Sequence, residues 1–245
     1  MAKLNPVFSG IRVDEGVETA ASVKGVAVKT LLLLGVALLS AILSITYGFE
    51  LILGNGFAYF AIIITALICG VVGQVNPNAA KVCSFIYAAC EGAVLGLVSF
   101  MVDAVIGGIV LTAIMITATI FGVMLLLYST NIIRVTGKFV RVMSSIGITI
   151  FVISLVYLIS YFIDRNNILI TALTSNTGLV LLISGLVLLY GAFMLALDFE
   201  QVNVIVANGF DKKYEWTAAL GLMVTLIWIY IEVLRILLIF ASRRD

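Results

Sequence analysis

Uncharged apolar runs, each near the roughly 20 residues that cross a bilayer as a helix, succeed one another along this chain with short polar breaks between them. Thr30–Phe49 is the first, set between Lys29 and Glu50. The interval from Glu50 to Lys81 holds the second, centred on FAYFAIIITALICGVVG. Val82–Val102 is the third, interrupted by Glu91, and Ala104–Ile133 the fourth; Asp103 and the pair Gly107–Gly108 mark the passage between them. Val142–Ile163, bounded by Arg141 and Asp164, is the fifth. Leu179–Leu197 begins the sixth, and Trp216–Phe240 makes the seventh. The pattern predicts an all-α integral membrane protein, a seven-transmembrane-helix bundle.

Composition agrees. Of 245 residues, 63% are apolar and 11% charged, where soluble domains run at about half and a quarter. A water-soluble fold could not hide that much apolar surface, so lipid is the solvent for much of it. The first 24 residues mix both charge signs and lack an apolar core, which excludes a signal peptide. They are predicted to be a polar cytoplasmic tail, with 25–245 as the transmembrane domain. The loops are too short for a second, soluble domain, and no repeat stands out.

The basic residues set the expected orientation. Lys3, Arg12, Lys24, Lys29, Lys81, Arg134, Lys138, Arg141, Lys212 and Lys213 all fall on the cytoplasmic side if the N-terminus is inside. Arg165, Arg243 and Arg244 fall opposite, and Arg235 lies within the last helix. A multi-pass protein of the cell (inner) membrane follows, with the N-terminus cytoplasmic and the C-terminus on the other side.

The net charge of +1 supplies no basic face for nucleic acid. Membrane lipid is the expected partner, with a membrane-protein partner as a further candidate and a monomer as the expected state. The chain has no histidine, which removes HExxH metal sites, Ser-His catalysis and histidine pH sensing together. Any proton-linked behaviour must come from carboxylates. Cys69, Cys83 and Cys90, an odd number in apolar runs, read as packing residues and not as a disulfide framework.

Ionisable residues within a span cost about 2.5–3.5 kcal/mol at the bilayer centre and mark candidate sites. Glu91 lies beside Ala88, Gly92 and Gly96, a small-residue face suited to close helix approach. It is expected at the rim of that face, toward the bundle interior, either as a packed, hydrogen-bonded acid or as a functional group. Glu232 and Arg235, three apart, share a helix face. They read as an internal ion pair or as a gate.

Asp198 and Glu200 interrupt FMLALDFEQVNVIV, residues 193–206. The apolar residues resume until Asn208–Gly209, so the helix is expected to continue about three turns past the carboxylates. The alternative is a helix that leaves the membrane near Leu197, with the rest along the surface. The link GFDKK makes helices six and seven antiparallel, which puts Asp198 level with Thr225. A hydroxyl there could donate to the carboxylate or accept from the acid form.

In LLLYGAFMLALDFEQV, an aromatic-rich run is followed by D-x-x-Q-[IV] through Asp198, Gln201 and Val202. This segment resembles the Bax inhibitor-1 (transmembrane Bax inhibitor motif) family. AALGLMVTLIWIYIEVLRIL, with Leu234-Arg235, is similar to that family's final helix. Asn5–Phe8 (NPVF), YAACEGAVLGL and LLLYSTNIIRVTGKF resemble its bacterial YccA-like branch. The resemblance covers nearly all of residues 25–240. It implies a seven-helix bundle with the last helix near the centre. It also implies a proton-sensitive calcium leak, with paired aspartates on helices six and seven as sensor and latch. Asp198 occupies the helix-six position, and the helix-seven position falls on Thr225, a departure that leaves no second carboxylate there. Glu232, seven residues on, is about 10 Å further outward.

The functional expectation is a passive, pH-modulated calcium or cation leak that uses intramembrane carboxylates. Asp198 and Thr225 act as sensor and gate, and Glu91, Asp198 and Glu232 line the path. Glu200, Gln201 and Arg235 lend support. Calcium enters as permeant ion, with no resident metal or cofactor. The alternative is a non-transporting regulator of membrane proteins or of a membrane protease, with Gly92 and Gly96 serving partner helices. An enzyme is not expected, since the GxGD signature is absent and Thr225 removes a dyad. A secondary transporter would prefer broken helices and repeat symmetry.

Overall fold

Hydropathy becomes seven helices in the computed structural model, which describes residues 20–48, 56–163 and 177–241. They are α1 (Val23–Leu43), α2 (Gly56–Val75), α3 (Pro77–Val105), α4 (Ile109–Ser129), α5 (Gly137–Ile163), α6 (Thr177–Ala207) and α7 (Tyr214–Ala241). All seven are long and apolar enough to cross a membrane. Most of the expected tail, the Asn5–Phe8 motif, Phe49, Glu50, Asp164, Arg165, Arg243 and Arg244 lie outside the described residues.

Local chemistry sets the ends. Ser22 caps α1 by accepting from the Gly25 N–H at 2.9 Å, so the helix starts two residues inside the expected tail. Lys24 and Lys29 are helical as a result. At its far end α1 passes into a π turn, Ser44–Gly48, where the Ser44 hydroxyl donates to Ala41 O and, across to α3, to Ala93 O. Asn76 caps α3, with Pro77 at its first position.

The third and fourth boundaries differ from the sequence expectation. α3 runs through Asp103 to Val105, and α4 begins at Ile109, not Ala104. Gly108 makes the turn with φ +82°, and Asp103 Oδ1 accepts from the backbone N–H groups of Gly108 (3.0 Å) and Val110 (3.3 Å). The carboxylate ends no helix. It caps the next one.

α6 continues unbroken through Asp198 and Glu200, which disposes of a surface exit near Leu197. It stops where Gly209 takes a left-handed φ of +64° and the N–H groups of Gly209 and Phe210 fold back to Val206 O and Ile205 O, a glycine C-cap.

α7 is the centre of the bundle. It packs against α1, α2, α3, α4 and α6, and 50% of its membrane-length window is buried, against 28% at most elsewhere. α1 and α3 meet nearly backbone to backbone. A Cβ at Gly96 would stand 2.6 Å from Ala41 Cα, and one at Gly92 2.6 Å from Ala37 Cα. The Ser40 hydroxyl donates to Ala89 O at 2.6 Å across that seam. Among the described residues, α5 touches little beyond α6. Leu31, Leu126, Ile148 and Leu182 point outward, as lipid-facing side chains do.

Candidate functional site

The antiparallel pair α6 and α7 brings Asp198 and Thr225 together. The Thr225 hydroxyl lies in hydrogen-bonding reach of the Asp198 carboxyl, while Asp198 Oδ2 has no hydrogen-bond partner among the described residues. That oxygen is buried, while the residue as a whole is half-buried. Gly221, one turn before Thr225 on α7, lets these groups approach the helix closely by lacking a side chain. A Cβ there would sit 3.3 Å from Gln74 Nε2, at the end of α2, and 3.7 Å from Asp198 Oδ1. A carboxyl, an amide and a hydroxyl thus converge on one point of the central helix.

The neighbouring acid, Glu200, points elsewhere: its Oε2 accepts from the Tyr128 hydroxyl on α4 at 2.8 Å. Asn203 adds a second polar side chain beside that phenol, and Phe199 packs on Phe121 and Tyr128. Gln201 is half-buried and makes no side-chain hydrogen bond among the described residues.

Glu91 shares the depth of Asp198 but not its surface. Phe85 packs on Trp216 and Ser99 bonds Tyr230 at 2.7 Å, pairs separated by the same 131 positions. α3 and α7 therefore run parallel in register, and Glu91 falls level with Leu222. Its carboxyl engages Tyr87 one turn earlier on α3. α3 and α6 have at most marginal contact, so Glu91 and Asp198 stand on different sides of α7.

Glu232 and Arg235 form the expected pair, with Nη1 to Oε1 at 3.1 Å. The glutamate is buried and the arginine reaches out, 57% exposed. Glu232 Oε2, like Asp198 Oδ2, is buried without a partner among the described residues. The three cysteines are free thiols. No group of three or more His, Cys, Asp or Glu side chains that could hold a metal occurs among the described residues.

The sequence matches the Bax inhibitor 1 like family over residues 5–242, nearly end to end. The chain belongs to that family. Neither a search of curated proteins nor one of solved structures gives a match. The seven membrane-length helices and the central place of the last one agree with what the resemblance implied.

Gln74, Gly221, Tyr128 and the Lys29–Glu215 pair described below were not singled out in the sequence. Gln74 is the one side-chain amide within Gly56–Val75, an otherwise apolar run, a detectable signal. Its meeting with Gly221 depends on how α2 rotates against α7, which hydropathy does not encode.

Proposed function

We propose that this Bax inhibitor 1 like protein is a passive cation leak, calcium being the best-suited ion, controlled at Asp198. The observation that carries the reading is the Asp198 carboxyl, set within the bundle beside Gly221 and Gln74 with one buried oxygen unpartnered among the described residues. Oxygen donors suit calcium, which takes 6–8 of them in a retained site. One carboxylate, the Gln74 carbonyl and the Thr225 hydroxyl offer fewer, which favours passage over storage. Glu232 is a second acid about 10 Å further along α7 from Thr225. Glu91, on another side of the helix, enters as a separate acidic group. Protonation of Asp198 would remove its charge and alter its bond with Thr225, which links flux to pH. The basic ends of the helices are assigned to the cytoplasmic side of an inner membrane.

The test is pH-resolved calcium flux into proteoliposomes. Asp198→Asn is expected to lower the flux and flatten its pH profile. An unchanged flux with an unchanged profile overturns the role of this residue.

The alternative, a non-transporting regulator, loses one of its supports, because the Gly92 and Gly96 face is filled by α1. The flanks of α5, nearly free of contact among the described residues, remain as a surface for a partner helix. Silent liposomes together with a stable crosslinked partner would favour that reading.

A further inference from the structure

The densest polar contact away from Asp198 ties the start of α1 to the start of α7. Glu215, 1% exposed, has both oxygens engaged. Oε1 accepts from the Ser22 N–H at 2.8 Å and from the Ser22 hydroxyl at 3.2 Å, and Oε2 meets Lys29 Nζ at 2.6 Å. Lys29 also donates to Lys212 O at 3.2 Å and lies 4.8 Å from the centre of the Trp216 ring. Lys81 of α3 approaches the same ring at 5.9 Å, and Phe85 packs on it. Just before α1, the Ala21 N–H donates to Phe210 O at 2.8 Å. Gly25 has no room for a Cβ, because the Glu215 carboxylate occupies that space.

We infer that Lys29 and Glu215 are positioning residues: their ion pair fixes the central helix against α1 and so holds Thr225 opposite Asp198. Apolar contact, which supplies most of the packing around α7, is non-directional and constrains axial position less sharply than a polar contact of fixed geometry. A buried ion pair adds little net stability over apolar replacement, but its geometry is directional. Gly221 and Thr225 follow Glu215 on an unbroken helix, about 9 and 15 Å along its axis. A slide or rotation at the first turn of α7 therefore reaches the Asp198 site undiminished. The inference concerns where α7 sits and holds whether or not the site passes ions.

Hydrogen exchange of the full chain in lipid nanodiscs tests it. Glu215→Gln is expected to speed exchange of residues 20–29 by about a hundredfold. The amides around Asp198 and Thr225 are expected to speed up with them. Reversing the pair, Lys29→Glu with Glu215→Lys, is expected to restore much of the protection around 198 and 225, and only part of it at residues 20–29, where a lysine cannot accept from Ser22. If the start of α1 loosens while the amides around 198 and 225 keep their protection, the pair is a local staple and the inference fails. Should Glu215→Gln not assemble, Lys29→Gln weakens the pair from its other side and leaves the Ser22 cap of α1 in place. It is expected to give the same two-region pattern at smaller amplitude, and a change confined to residues 20–29 overturns the proposal equally.

Discussion

A hydroxyl can hydrogen-bond a carboxyl in either protonation state, and that is what Thr225 offers Asp198. Thr225→Val keeps the shape and removes the hydroxyl, leaving an enclosed polar group with less to bond. The expected cost is about 1–3 kcal/mol, seen as a lower unfolding temperature in detergent, with Thr225→Ser close to the parent. A valine variant as stable as the parent would mean the hydroxyl contributes nothing to the contact. The meeting of these two residues was legible from the GFDKK link, because counting outward from a tight turn gives depth. Lys29 shows what such counting leaves out. Hydropathy marks it as the charge that ends a span, whereas it lies inside α1 and its ammonium is paired with Glu215. A cation's partner 186 positions away leaves no trace in a local pattern.

At the scale of helices, small residues decide which pairs come close. Gly92→Leu would drive a side chain into the α1 backbone, and the overpacking is expected to cost about 3 kcal/mol or more. Gly122 on α4 has open space around it, so Gly122→Leu should shift the unfolding temperature little. Comparable losses at the two positions would contradict the tight α1–α3 seam. The Ala88, Gly92 and Gly96 spacing was visible in the sequence as a packing face, but nothing there named α1 as its occupant. Helix ends were less legible than helices. Asp103 looks like a terminus because charge ends apolar runs, yet its side chain serves as a cap across the glycine turn to α4.

For the whole molecule, hydropathy gave the seven spans and family resemblance gave the central last helix, while rotation about each axis was out of reach. That is why Glu91 and Asp198 could be credited to one path from sequence. Depth puts them level, and only the arrangement around α7 separates them. The same arrangement has a consequence for synthesis. The helix that fills the middle emerges from the ribosome after the five it packs against, so those five enter the membrane before their shared neighbour exists. Until α7 inserts, Asp198 has no Thr225 and the start of α1 has no Glu215. A chain ended before Tyr214 is accordingly expected to integrate into membranes yet remain sensitive to protease, where the longer chain resists. Equal resistance of both would mean the outer helices assemble without their axis. Quality control on a nascent chain of this kind would have its decisive moment at the final helix.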